Sequence, residues 1–145
     1  MAVDVVTEID IARPRADVYA FASDPDNATR WYSNIDSVEW ETPRPAGLGS
    51  RIAFSARFLG RRLTYTYEVV ELVDGERFAM RTAQGPFPME TTYAFSDADG
   101  GTRMSLRNRG EPSGFAKLGA SLMAAAMRRE NRKDLERLKG LLEGG

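Results

Sequence analysis

Hydrophobic and polar residues alternate with a period of two over long stretches of this chain, and turn-forming residues separate the stretches. In Val3–Ile11, Val3, Val5, Ile9 and Ile11 share one face and Asp4, Glu8 and Asp10 the other, as in a half-buried strand. Pro14 then opens a short helix, since proline suits a first turn, and Val18, Phe21 and Ala22 give it an apolar stripe flanked by Tyr19. The run Ser23-Asp24-Pro25-Asp26-Asn27 stops that helix and starts another: Asp24 is placed to cap it and Pro25 fits its first position. The second helix ends near Trp31-Tyr32.

Strand patterns follow. Val38 and Trp40 oppose Ser37, Glu39 and Glu41, and Pro43, Pro45, Gly47 and Gly49 then make a loop. Over residues 51–58, Ile52, Phe54, Ala56 and Phe58 face away from Arg51, Ser55 and Arg57. Gly60 turns the chain into Leu63, Tyr65, Tyr67 and Val69, with Thr64, Thr66 and Glu68 opposite. Asp74-Gly75 is a hairpin signal, after which Phe78 and Met80 point one way and Arg81 the other. Gln84-Gly85-Pro86-Phe87-Pro88 is a loop, and Met89, Thr91, Tyr93 and Phe95 share the next face. A turn at 97–101 leads into Thr102, Met104, Leu106 and Asn108, set against Arg103, Ser105, Arg107 and Arg109.

From 113 to 142 the spacing becomes helical, with Ser113 as candidate cap. Phe115, Leu118, Leu122 and Ala126 make one stripe, which past Met127 moves round to Leu135, Leu138 and Leu142. That drift predicts a bent helix, or one whose halves pack on different surfaces. One strand, two short helices, six strands and a long helix predict an α+β helix-grip fold. Its curved antiparallel sheet would be covered by the C-terminal helix, the one large cover available.

Composition narrows the chemistry. The 145 residues fit a single domain, 1–145. With 20 Lys+Arg against 21 Asp+Glu, binding of nucleic acid through bulk charge is not expected. No stretch has the length and apolarity of a membrane span, and no signal-like segment opens the sequence, so a cytoplasmic protein is expected. There is no cysteine and no histidine. Their absence removes thiolate chemistry, cysteine zinc sites, histidine bases and every Ser-His or Cys-His arrangement, and no metal or cofactor is expected. Monomer and homodimer both remain open.

The inward faces give the candidate site: Phe54, Phe58, Tyr65, Tyr67, Met80, Met89, Tyr93, Met104, Leu106 and Asn108, facing Phe115, Leu118, Leu122, Met123 and Met127 on the helix. Three of the methionines lie on strands among the aromatic residues, and methionine adapts to irregular apolar shapes. Gly119, Ala120 and Ala124 to Ala126 leave the helix thin, with room for a ligand. The same stripe also describes a filled core, and the pattern is compatible with both. Tyr65, Tyr67 and Tyr93 carry hydroxyls on the inward face, where each needs a partner or reaches water at the sheet rim. Asn108 is the one amide on the inward strand faces, suited either to orient a ligand oxygen or to stabilise the nearby turn.

The stretch Ala22-Ser23-Asp24-Pro25-Asp26-Asn27-Ala28-Thr29-Arg30-Trp31-Tyr32 resembles the "DP…W" segment of the SRPBCC superfamily. This START-like group holds polyketide cyclases/dehydratases, lipid-transfer domains and the birch-pollen allergen fold. Gly47-Leu48-Gly49, Tyr67-Glu68-Val69-Val70-Glu71-Leu72 and Asp99-Gly100-Gly101-Thr102-Arg103 add to a likeness covering about residues 3–142. The resemblance implies a deep apolar cavity between sheet and C-terminal helix, with its mouth near the helix start. It gives Trp31 a packing role near the cavity end and puts the Phe87 loop beside the mouth.

Strand parity turns Glu39, Glu68 and Glu90 outward, together with Arg51, Arg57, Arg81, Arg103, Arg107 and Arg109. Glu71 faces inward unless a bulge at Val69-Val70 reverses it, so no acid–base pair is placed in the interior. Arg128, Arg129, Arg132, Lys133 and Arg137 interleave with Glu130, Asp134 and Glu136, which reads as a solvated, mutually neutralising helix face. The expected function is binding of a hydrophobic small molecule, such as a lipid, polyketide or isoprenoid-like compound. A polyketide cyclase or dehydratase in the same cavity is the alternative, with its catalytic residues unassigned. A module that binds a protein partner is a third class.

Overall fold

Strict two-residue alternation obliges a strand to lay one face on a core, and all seven such segments do so in the computed structural model. It describes residues 3–58, 60–85, 87–111 and 119–144. The strands are β1 (Val3–Ile11), β2 (Ile35–Trp40), β3 (Arg51–Phe58), β4 (Arg61–Val73), β5 (Arg77–Gln84), β6 (Met89–Ala98) and β7 (Gly101–Gly110). They form one antiparallel sheet in the order β1-β7-β6-β5-β4-β3-β2. Hairpins link β2 through β7 in sequence, and β1 closes against β7 at the far edge. Between the edge strands the chain passes through α1 (Arg15–Ala22), a 3-10 turn (Pro25–Asn27) and α2 (Ala28–Trp31). The Asp24 carboxylate accepts from the Asp26 backbone N–H, with Pro25 in the first position, as the capping signal predicts.

The outward arginines fix the parity of the sheet. Arg51 pairs with Glu68, Arg57 with Asp36, Arg81 and Arg109 with Glu90, Arg103 with Asp10 and Arg107 with Asp4. Exposed pairs of this kind contribute at most about 1 kcal/mol each, so they mark orientation more than they stabilise. A register shift between Val69 and Glu71 confirms the bulge and turns Glu71 out to Arg77. Thr66 departs from the simple alternation: it is buried although on the polar face, because its hydroxyl donates to Glu41 from the loop that follows β2. Gly75 and Gly100 sit in tight hairpin turns at φ 74° and 76°, a conformation that L side chains resist.

The long helix, α3 (Ala120–Gly144), lies chiefly over β1. Its expected cap Ser113 and the residues Phe115 and Leu118 fall outside the described residues. The expected stripe through Leu122 and Ala126 is corrected by the structure. Leu122 is 63% exposed, and the buried face runs Met123, Met127, Asn131, Asp134, Leu135, Leu138 and Leu142. These positions keep steps of three and four, so one continuous face is buried with two polar residues in its middle. The two halves of that face do pack on different surfaces. Leu135, Leu138 and Leu142 join the main core around Trp31, Phe78, Met104 and Leu106, while Met123 and Met127 pack with Val3, Val5, Leu63, Tyr65, Phe87 and Met89.

Candidate functional site

Where these two apolar clusters adjoin, the sheet and α3 leave a cavity of about 150 Å³ lined by members of both. Of the residues expected inside, Phe54, Phe58, Tyr65, Tyr67, Met80, Tyr93, Asn108 and Met123 form its wall, and so do Met89 and Met127. Met104 and Leu106 do not. Both are fully buried in the main core, on the strand next to β1, where α3 covers the sheet. Leu122 points to solvent, and Phe115 and Leu118 lie outside the described residues. Phe87 is in the wall too: its ring meets Tyr65 edge-on at 5.6 Å, and it is 7% exposed. The backbone at Gly85 also lies close against Tyr65, where a Cβ would come within 2.8 Å of the ring.

The end near the short helices holds the polar chemistry, much of it unforeseen from sequence. Tyr32, on the exit from α2, shares a 2.6 Å hydrogen bond with Tyr93 between their hydroxyls. Trp31 packs beneath, with ring centroids 5.6 Å from Tyr93, in the packing role the resemblance implied. Further along, the Thr91 hydroxyl donates to Asn108 Oδ1 at 2.8 Å. Burial pushes the Tyr67 hydroxyl up to about 12, against a hydrogen bond with Thr91 that favours ionisation, and it raises Tyr32, Tyr65 and Tyr93 further. All four stay neutral at ordinary pH and are therefore hydrogen-bonding groups, not bases.

Asp134 is the largest correction. It was expected on a solvated, mutually neutralising face with Arg137 among its neighbours, yet it is 1% exposed and lines the cavity. Both the backbone N–H and the hydroxyl of Ser33 donate to its Oδ1 at 3.0 Å, and Arg137 donates instead to the Arg30 carbonyl. Burial raises its pKa to about 6, against the Ser33 hydrogen bonds, with the Glu130 charge adding to the rise and Lys133 opposing it. Asn131, one turn earlier, and Glu130 also line the cavity. Sequence reading lost these residues in a run of charges. The signal that finds them is the four-residue step from Met123 through Met127 to 131.

A buried carboxylic acid titrating near neutrality beside two neutral phenols has the properties of a general acid or base. The rest of the wall is apolar and suits exclusion of water from a guest.

No curated protein matches the chain in sequence. Among solved structures, a START superfamily protein from Mycobacterium smegmatis superposes with a TM-score of 0.82 at 14% identity, covering 97% of this chain and 97% of the other. The Zhui aromatase/cyclase from Streptomyces gives 0.80 at 17% identity, over 99% of this chain and 94% of that one. A Thermus thermophilus protein gives 0.74 at 24% identity, over 93% and 96%. At these identities the likeness is one of fold. The family model described as "Polyketide cyclase / dehydrase and lipid transport" matches residues 2–143. With that match spanning nearly the whole length, the chain belongs to the polyketide cyclase / dehydrase and lipid transport family.

Proposed function

We propose that this protein binds a small, mainly apolar molecule reversibly between the sheet and α3, by removing it from water and holding one polar end. The observation that carries this is the cavity itself: about 150 Å³ remain unfilled where facing apolar stripes normally interdigitate. A volume near 150 Å³ is enough for one aromatic ring. A longer lipid, polyketide or isoprenoid-like chain would extend past the wall, which Met80, Met89, Met123 and Met127 can reshape. Native mass spectrometry of the purified protein tests the reading. A copurified or titratable apolar guest is expected, and the same spectrum reads the monomer–dimer state. No mass shift with any ring-sized or chain-like apolar compound would overturn the carrier reading.

Asp134 favours a second reading, a cyclase or dehydratase acting on a polyketide-like substrate in the same cavity. A carboxyl with a pKa of about 6 next to the Tyr32–Tyr93 pair can move a proton at neutral pH. Turnover of a synthetic poly-β-keto substrate, abolished in Asp134→Asn and weakened in Tyr93→Phe with binding retained, would establish it. The protein-partner reading is the weakest, since the exposed large apolar residues Val6, Leu48, Val73, Leu122 and Leu141 are spread over several elements.

A further inference from the structure

Among the described residues, three buried side chains carry a polar atom without a hydrogen-bond partner: Thr7, Trp31 and Asn131. Only Asn131 lines the cavity. It is 6% exposed, and its Nδ2 is the unpartnered atom. An amide donor buried without an acceptor is unfavourable, and native proteins keep few of them. The neighbouring polar groups are engaged with one another. Asp134 is held by Ser33, Tyr32 by Tyr93, and Thr91 by Asn108. Asn131 is the buried donor left over at the wall.

The charges of the wall say what kind of acceptor would suit it. Glu130 and Asp134 flank Asn131 on α3, and none of the described wall residues is Lys or Arg. A carboxylate or phosphate end would meet like charge with no cation in the described wall to pair with. A neutral carbonyl would take the Asn131 N–H without that conflict.

We propose that Asn131 determines the specificity of the cavity by donating from Nδ2 to the carbonyl oxygen of a neutral, ring-sized ketone or related carbonyl compound. This rests on the cavity reading above and adds the ligand class and the residue that selects it.

Three probes of one size separate the possibilities: acetophenone, α-methylstyrene, which replaces the carbonyl oxygen by CH₂, and benzoate, which is anionic. By calorimetric titration, acetophenone is expected to bind about tenfold tighter than either of the others. In Asn131→Leu the preference over α-methylstyrene disappears while the melting temperature holds or rises, because a buried unpaired donor has gone. In the unmutated protein, the Asn131 side-chain amide resonances shift on adding acetophenone and not α-methylstyrene, a readout independent of how the variant folds. Equal affinity for the first two probes, or a preference that survives in Asn131→Leu, overturns the role of Asn131 and leaves the cavity reading standing. Saturable binding of none of the three overturns the ligand class assigned through Asn131, and the cavity reading falls with it only when native mass spectrometry also finds no ring-sized or chain-like apolar guest.

Discussion

Asp134 holds its proton to a higher pH in the folded protein than an unfolded chain would, its pKa rising from 3.8 to about 6. Between those values the native state binds more protons, so this group's contribution to stability falls as pH rises through the window and levels off above it. Urea unfolding at pH 4.5 and pH 7 should show wild type losing about 2 kcal/mol relative to Asp134→Asn, which stays neutral throughout. Parallel behaviour of the two proteins would mean that the carboxylate is better solvated than its burial implies. Asp4 and Asp10, whose arginine partners lower their pKa values, do not confound this, because wild type and variant both carry them and their contribution cancels in the comparison. Tyr93→Phe leaves the Tyr32 hydroxyl without its 2.6 Å partner and should cost about 1 kcal/mol in the same assay. Neither Asp134 nor Tyr32 was legible as a site residue. One sits among the charges of 128–137, and the other ends a helix of four residues, where no periodicity shows which way a side chain points.

The strands and the long helix differed in how plainly they could be read. In a strand each residue takes one of two faces, so the outward arginines and inward Tyr65, Tyr67, Met80 and Tyr93 sorted themselves, and even the bulge before Glu71 was visible as a doubled valine. A helix face has to be tracked over steps of three and four. The apolar residues Leu122 and Ala126 drew the line along the wrong flank, while the correct one passes through Asn131 and Asp134. Two substitutions check the register. Leu122→Lys should change stability by less than about 0.5 kcal/mol, as exposed positions do. Leu138→Ala, at 0% exposure, should lose about 2–5 kcal/mol by the same denaturant titration. The reverse ranking would place the helix the other way round.

At the scale of the molecule, two apolar clusters share one sheet and one helix, and the hollow lies where they adjoin. Residue patterns showed which faces turn inward and gave no measure of how completely they fill the space between, since that depends on how far α3 stands from the sheet. Filling the space is the direct check. Met127 lines the wall, and Met127→Trp should weaken uptake of a ring-sized apolar dye at least about tenfold, while overpacking lowers stability by about 1–3 kcal/mol. Unchanged dye affinity would move the guest to another surface.

The pairing of β1 with β7 also bears on how the protein comes into being. Val3–Ile11 precedes the other six strands in the chain, yet among the described residues its sheet neighbour is Gly101–Gly110, about a hundred residues downstream. A nascent chain on the ribosome can zip the central hairpins one after another, but β1 must wait, unpaired, until residues 101–110 have emerged. Closure of the hydrophobic interior is thus a late and chain-spanning event. Premature termination before residue 101 would leave an apolar strand with no template of its own.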